Sequence, residues 1–299
     1  MTIVRHLFIL LMVEVLLLGS IAHLVVGLPW LLTLLFVVFA LLGLRCLVVL
    51  GSWLFTRFYP SPAIGPWRRV KMMAQEMLAY LYTFTLLLPF EPLLMAPDRL
   101  RPCQRPVLLV HGYGCSRGIW RTQRTRLETA GHVVATITLM PPFGHIDEMV
   151  PLLAKRIDDV LAQTGADKLV LVGHSMGGLV CRDYLALHGG DKVARLITLA
   201  TPHQGSQLAA LGLGANAREM EPGSGWLQRF ASVPLCVPGI SVRTSHDNVV
   251  MPQERQRLAG MEDIELPAIG HLSLLYSRRT TALLLTLLAR NSAIGNPPQ

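Results

Sequence analysis

The stretch Lys168–Val180, K-L-V-L-V-G-H-S-M-G-G-L-V, constrains this chain more than any other. An apolar run leads into a glycine-bracketed turn and then into a helix-compatible sequence, with Gly173, Ser175 and Gly177 spaced as G-x-S-x-G. The pattern predicts a strand, a sharp turn and a helix start, with Ser175 at the apex and His174 inside the turn. A serine hydroxyl needs such a place, clear of the backbone and beside a base, to act as a nucleophile. Flanking glycines tolerate the strained dihedrals and leave room for an approaching carbonyl. The turn also aims the N–H of Met176, at the new helix N-terminus, toward developing negative charge. Taken without its surroundings, the stretch is equally a glycine-rich turn with an idle serine.

The surroundings favour the chemical reading. Pro106–Val110 reads as a short buried strand, Trp120–Ala130 as a polar-faced helix and His132–Leu139 as a second strand. Over Ile146–Gln163, Ile146, Met149, Val150, Leu153, Ile157, Val160 and Leu161 recur at helical spacing. The strand Lys168–Val172, the helix Met176–His188 and the strand Val193–Leu199 follow. Such alternation implies right-handed crossovers and a mostly parallel sheet with helices on both faces, an α/β fold. The Gly- and Pro-interrupted stretch 208–234 is expected as a short cap insertion. Gly239–Ser245 and Asp263–Leu266 resume the strands, and Leu272–Ala289 closes the chain as a helix.

The hydrophobic fraction of 52%, against 15% charged residues, is high for an ordinary soluble enzyme, and the excess lies at the front. Leu7–Val26 and Trp30–Leu50 are each about as long as a helix needs to cross a bilayer core. Gly27-Leu28-Pro29 between them allows only a tight turn, so an antiparallel transmembrane hairpin is expected over 1–56. Glu14 is costly there unless protonated or paired with a helix, and Arg45 is expected to snorkel toward one end. A cleavable signal peptide is the rival for the first run, since Ser20-Ile21-Ala22 loosely resembles a cleavage site. Residues 57–104 read as an amphipathic or interfacial linker. Met77–Met95 is a third apolar stretch, but Pro89, Glu91 and Pro92 break it. The catalytic part is then 105–290, and 291–299 a tail. Arg5 before the hairpin and Arg57, Arg68, Arg69 and Lys71 after it favour both ends, and the domain, on the cytoplasmic side of the cell membrane, whereas a crossing by Met77–Met95 would place the domain on the periplasmic or extracellular side.

The net charge of +8 comes from scattered residues, with no zinc-ligand spacing and no aromatic RNA-binding motif, so nucleic acid is not an expected partner. A basic balance on a membrane-bound chain suits anionic lipid instead. The five cysteines show no C-x-x-C pair and predict neither a disulfide framework nor a metal site. No phosphate loop or dinucleotide fingerprint is present, and no cofactor is implied.

Four motifs together resemble the α/β-hydrolase fold, in its bacterial lipase and esterase branch: V-H-G-Y-G at Val110–Gly114, G-H-S-M-G at Gly173–Gly177, L-A-T-P-H-Q-G-S at Leu199–Ser206, and the pair S-H-D-N-V-V-M-P and A-I-G-H-L-S-L-L near the C-terminus. The resemblance covers 105–289 and none of the hairpin. It implies a Ser175–Asp247–His271 triad in the chain order this fold uses, with Tyr113 and Met176 supplying oxyanion-hole N–H groups. Asp263 and Glu265 are the alternative acids. His111 and His174 read as loop-bracing residues, and His203 as a pocket-lining or hydrogen-bonding one. Met220, Trp226, Leu227 and Phe230 are candidates for an apolar lid lining the substrate site, although such spacing more often means simple packing. The bulky Tyr113 departs from an H-G-G-G loop and resembles the subgroup acting on medium and long acyl chains. The expected function is a membrane-anchored serine hydrolase acting on carboxylic esters of lipids. A thioesterase, an acyltransferase, an amidase or a non-catalytic transport or interaction protein with a hydrolase-like domain are the other readings.

Overall fold

The computed structural model describes residues 2–59, 61–231 and 233–290. The expected 291–299 tail lies outside them.

Helix α1 (Ile3–Ser20) continues through one wider turn, Ile21–Val25, and reverses at Gly27, whose φ of 77° suits a residue without a Cβ. Helix α2 (Trp30–Phe55) returns antiparallel to it, and the His23 ring stacks on Trp30. Among the described residues, two helical stretches, Ile3–Val25 and Trp30–Phe58, are long and apolar enough to cross a membrane. Their outward faces carry bare apolar side chains such as Leu16, Leu24 and Phe39. Leu11, Val37 and Leu41 form the seam between them.

Arg45 does not snorkel. It turns inward and forks onto Glu14 of α1, with nitrogen–oxygen distances of 2.9 and 2.5 Å. A charge that far along an apolar helix is costly alone, and a two-pronged partner across the seam offsets much of that cost.

Helix α3 (Pro66–Leu81) opens with proline at its first position, where the missing N–H costs nothing. It buries Met72, Glu76 and Ala79, one face at i, i+4, i+7 spacing. The chain continues through a wide turn, Tyr82–Leu87, into α4 (Glu91–Leu94). Leu87 and Leu88 are wholly buried, so part of Met77–Met95 packs into the domain. Glu91 accepts hydrogen bonds from the Ser116 hydroxyl and the Gly118 N–H. Asp98 pairs with Arg124 at 2.8 Å and Arg156 at 2.6 Å. Residues 66–98 are thus fastened to the sheet as part of its fold.

The sheet has six parallel strands: β1 (Val107–Val110), β2 (Val134–Ile137), β3 (Leu169–His174), β4 (Val193–Leu199), β5 (Gly239–Arg243) and β6 (Glu262–Glu265), in the order β2-β1-β3-β4-β5-β6. Side chains alternate between its faces. Leu108, Val110, Leu169 and Leu171 meet α6 (Val150–Thr164) and α7 (Met176–His188). Val107, Leu109, Val170 and Val172 face α5 (Arg121–Thr129) and the closing helices α10 (Ser273–Tyr276) and α11 (Arg278–Ala289), with Ala79 and Leu88 completing that layer. The single expected C-terminal helix is split because the Ser277 side chain caps α11 by accepting from the Arg279 N–H. Between β4 and β5, a 3₁₀ turn (Gln207–Leu211) and the short helices α8 (Ala215–Glu219) and α9 (Gly225–Arg229) occupy the stretch expected as a cap.

Candidate active site

Consecutive connections leave the sheet in opposite directions between β1 and β3, which opens a crevice at their carboxyl ends. Gly112 follows β1 and Ser175 follows β3, one on each side of it. Ser175 has φ 54° and ψ −128°, a strained left-handed conformation for a residue with a side chain. The surroundings hold it there: the Ser175 N–H donates to the Leu199 carbonyl at 2.9 Å, and its own carbonyl accepts from Gly178 at 3.0 Å. The glycines supply space. A Cβ on Gly173 would sit 2.6 Å from the Gly178 Cα, and one on Gly177 would strike the Val110 carbonyl. A Cβ on Gly112 would come within 2.8 Å of the Ser175 Cβ.

His271 and Asp247 meet on loops after β6 and β5. The His271 Nδ1 lies 2.9 Å from an Asp247 carboxylate oxygen, whose twin accepts from the Val249 and Val250 N–H groups at 2.7 and 2.8 Å. Asp247 is wholly buried. Burial alone would depress the His271 pKa, but the charge and hydrogen bond of Asp247, helped by the charge of Glu76, outweigh it and hold the imidazole above its ordinary value. The alternative acids are engaged elsewhere, since Asp263 and Glu265 both grip Arg243 at 2.8 Å.

Ser175, His271, Gly112 and Tyr113 line one cavity of about 210 Å³. The Met176 N–H is the first in α7, where a helix has no internal acceptor to offer. The Tyr113 hydroxyl is fixed by the backbone of Leu213, donating to its carbonyl at 2.8 Å and accepting from its N–H at 2.7 Å. Cys115 shares the cavity, but burial pushes its thiol up to about 12, which keeps it protonated and unreactive.

A sequence model described as the α/β hydrolase fold matches residues 105–234. The chain has the α/β-hydrolase fold. Curated relatives include the triacylglycerol lipase of Burkholderia plantarii, 32% identical over 131 residues that make up 40% of this chain and 35% of that protein. The pimeloyl-[acyl-carrier protein] methyl ester esterase of Vibrio campbellii is 30% identical over 95 residues, 32% of this chain and 36% of the relative. The chain thus spans about a third of the length of these curated relatives. The mature lipase BlEst2 of Bacillus licheniformis shares the fold, with a TM-score of 0.57 at 20% identity over 64% of this chain and 95% of that one.

Within the hydrolase domain, the histidines set aside as braces occupy such positions. Burial lowers the His111 pKa to about 4, so the ring is neutral; its Nδ1–H donates to the Gly112 carbonyl and its Nε2 accepts from the Leu139 N–H. The His174 Nε2–H donates to the His271 carbonyl at 3.2 Å. His203, 4% exposed, lies 3.0 Å from the Thr198 hydroxyl and does not line the cavity. Met220, Trp226, Leu227 and Phe230, expected as an apolar lid, pack into the core on the α6–α7 face. Trp226 is drawn there by Asp147, to which its indole N–H donates at 2.5 Å.

Leu208, from the start of the insertion, lines the cavity with Val249 and Leu272, and the rest of its wall comes from segments not expected there. Val48, Val49 and Ser52 of α2 and Glu76, Tyr80 and Phe84 of the α3 segment line the cavity beside Ser175. Glu76, 1% exposed, accepts the N–H groups of Leu272 and Ser273 at 2.9 and 2.8 Å, and a Cβ on Gly270 would strike its carboxylate. Asn248 accepts from the His271 N–H at 3.1 Å and donates to the Ser52 hydroxyl at 2.9 Å. Helix α3 therefore touches the loop that carries His271, and α2 touches the loop of Asp247 and Asn248 that holds it. A lone carboxylate on the Met72–Ala79 face was the available signal for Glu76.

Proposed function

We propose that this chain is a membrane-anchored serine hydrolase that cleaves carboxylic esters of lipids through an acyl-enzyme. One observation carries the reading: an Asp247-bound His271 and a strained Ser175 share an apolar cavity, one wall of which is a helix able to lie in a bilayer. The match of residues 105–234 to the α/β hydrolase fold and the similarity to a triacylglycerol lipase support it.

In this mechanism the Ser175 Oγ attacks the ester carbonyl carbon while the His271 Nε2 takes its proton. Asp247 keeps the Nδ1 proton in place and steadies the imidazolium. The N–H groups of Tyr113 and Met176 receive the negative charge that builds on the carbonyl oxygen. The carbon–oxygen bond to the leaving alcohol then breaks, and His271 returns the proton to that alcohol. Water, deprotonated by His271, attacks the acyl-enzyme, releases the fatty acid and restores the serine hydroxyl. A thioester would follow the same steps with a thiol leaving.

Full-length detergent-solubilised protein should be labelled by an alkyl fluorophosphonate at Ser175. Ser175→Ala should abolish labelling and cut ester turnover by about 10⁴–10⁶-fold while preserving the fold. Undiminished hydrolysis by folded Ser175→Ala protein would refute the nucleophile. Faster turnover of acyl thioesters than of glycerol esters would move the reading to a thioesterase.

A further inference from the structure

The wall of the cavity facing α2 and α3 is apolar and lies at a defined depth. From Trp30, at the turn end of the hairpin, to Ser52 is about 33 Å at 1.5 Å per residue, close to the ~30 Å thickness of a bilayer hydrocarbon core. With Trp30 at the far hydrocarbon edge, Val48 and Val49 would sit just inside the near edge and Ser52 just outside it, the level at which a lipid's ester carbonyls meet its acyl chains. Val49 is buried, whereas Val48 on the next position is 52% exposed on the outer side of the helix, although both line the cavity. The cavity thus reaches the lipid-facing surface beside α2. Tyr80 and Phe84, packed together with ring centroids 4.6 Å apart, form the facing side from α3 and the wide turn after it.

The same wall is tied to the reacting groups. Ser52 donates to the Val49 carbonyl at 2.7 Å and accepts from Asn248, which in turn holds the His271 N–H. A tether alone would require none of these contacts.

We propose that α2 and the α3 segment form an acyl-chain subsite, in which the chain of a bilayer-resident ester passes Val48 and lies against Val49, Tyr80 and Phe84 while its carbonyl meets Ser175. The proposal rests on the ester-hydrolase reading above. Substrate enters sideways from the lipid and the acid leaves by the same side. Val49, the buried valine of the α2 wall, determines chain length.

The test uses full-length protein in lipid nanodiscs and compares kcat/KM for p-nitrophenyl esters from acetyl to dodecanoyl. Val49→Phe, which fills the wall, should lower the octanoyl-to-acetyl ratio by about tenfold, the effect of losing burial for roughly two methylenes. Val49→Ala should move the preferred chain to greater length. Phe39→Ala, on the lipid-facing side of the same helix, should leave the profile unchanged. A second measurement needs no variant: a fluorophosphonate with a diazirine at the end of its alkyl chain, bound through Ser175, should cross-link on irradiation to peptides of α2 and α3. An unchanged chain-length profile in both Val49 variants, or cross-links confined to 207–230 or to no peptide, would overturn the subsite while leaving the hydrolase intact. Wild-type protein that neither incorporates the probe nor cleaves any ester would overturn the hydrolase reading itself, and the subsite with it.

Discussion

His271 is held by three residues from two parts of the chain: Asp247 at its ring and Asn248 at its N–H, both on the loop after β5, and Glu76 of α3 at the two N–H groups that follow it. Glu76 sits nearly 200 residues away in sequence and no local motif announces it. Burial raises its pKa, and the two backbone N–H bonds oppose that rise, while its charge adds to that of Asp247 in favouring protonated His271. The buried His174 ring on the other side carries no opposing positive charge, since burial and the neighbouring His271 drive its own pKa down. As a general base His271 must be neutral, so kcat/KM should rise with pH through a pKa above the ordinary histidine value. Glu76→Gln removes one negative charge, and the rising limb should move to lower pH. Asp247→Asn should move it the same way and cut kcat by about 10⁴-fold. The amide introduced by Glu76→Gln also turns a donor toward a backbone N–H, costing about 1–3 kcal/mol of stability. A pH profile of kcat/KM for folded Glu76→Gln protein that matches wild type would show that Glu76 only packs.

At the scale of elements, the strands and crossovers were legible because each reads its burial from its own residues. Leu108 and Val110 face one layer and Val107 and Leu109 the other, a period-two pattern any buried strand carries. The elbow was legible for the same reason, since Gly173, Ser175 and Gly177 answer to atoms within a few residues or on the neighbouring strand. Side-chain direction in the 208–234 insertion was not. Trp226 and Phe230 stand one helical turn apart with tilted rings 4.6 Å between centroids, and whether such a pair covers a pocket or a core depends on Asp147 and the α6–α7 face. Nor could α2 be read as a pocket wall, because the apolarity that suits lipid also suits an acyl chain. The elements predict what truncation does. A chain starting near Pro97 lacks Leu87, Leu88, Glu91 and Glu76, leaving Val107, Leu109 and Trp120 uncovered and Arg117 without its Glu91 partner. It should be insoluble or unfolded. A chain starting at Ser61 retains α3 and should refold in detergent, with a cooperative thermal transition by circular dichroism. A soluble, cooperatively melting Pro97 form would show that residues 66–96 are dispensable for the fold.

The molecule as a whole joins a bare apolar hairpin to a charged, fully packed domain, and the join is basic. Arg57, Arg68, Arg69 and Lys71 are all exposed where α2 ends and α3 begins, and no charge stands at the Gly27–Pro29 turn. Each such cation near an anionic leaflet contributes about 1 kcal/mol, and translocating the cluster is opposed. The domain cannot swing away from this end, because His246 lies 3.0 Å from the Pro62 carbonyl and Asn248 holds Ser52. The Glu14–Arg45 fork likewise keeps α1 against α2, as a retained hairpin requires and a cleaved leader would not. Both termini should therefore lie on the cytoplasmic side, with the active site opening onto the inner leaflet. A reporter active only after export should stay silent when fused after Gln299 and become active when inserted after Gly27. Activity after Gln299 together with silence after Gly27 would invert the hairpin and place the lipid substrate in the outer leaflet. Activity after Gln299 together with an N-terminus beginning near Ala22 in the isolated protein would mean that the first helix is removed as a leader.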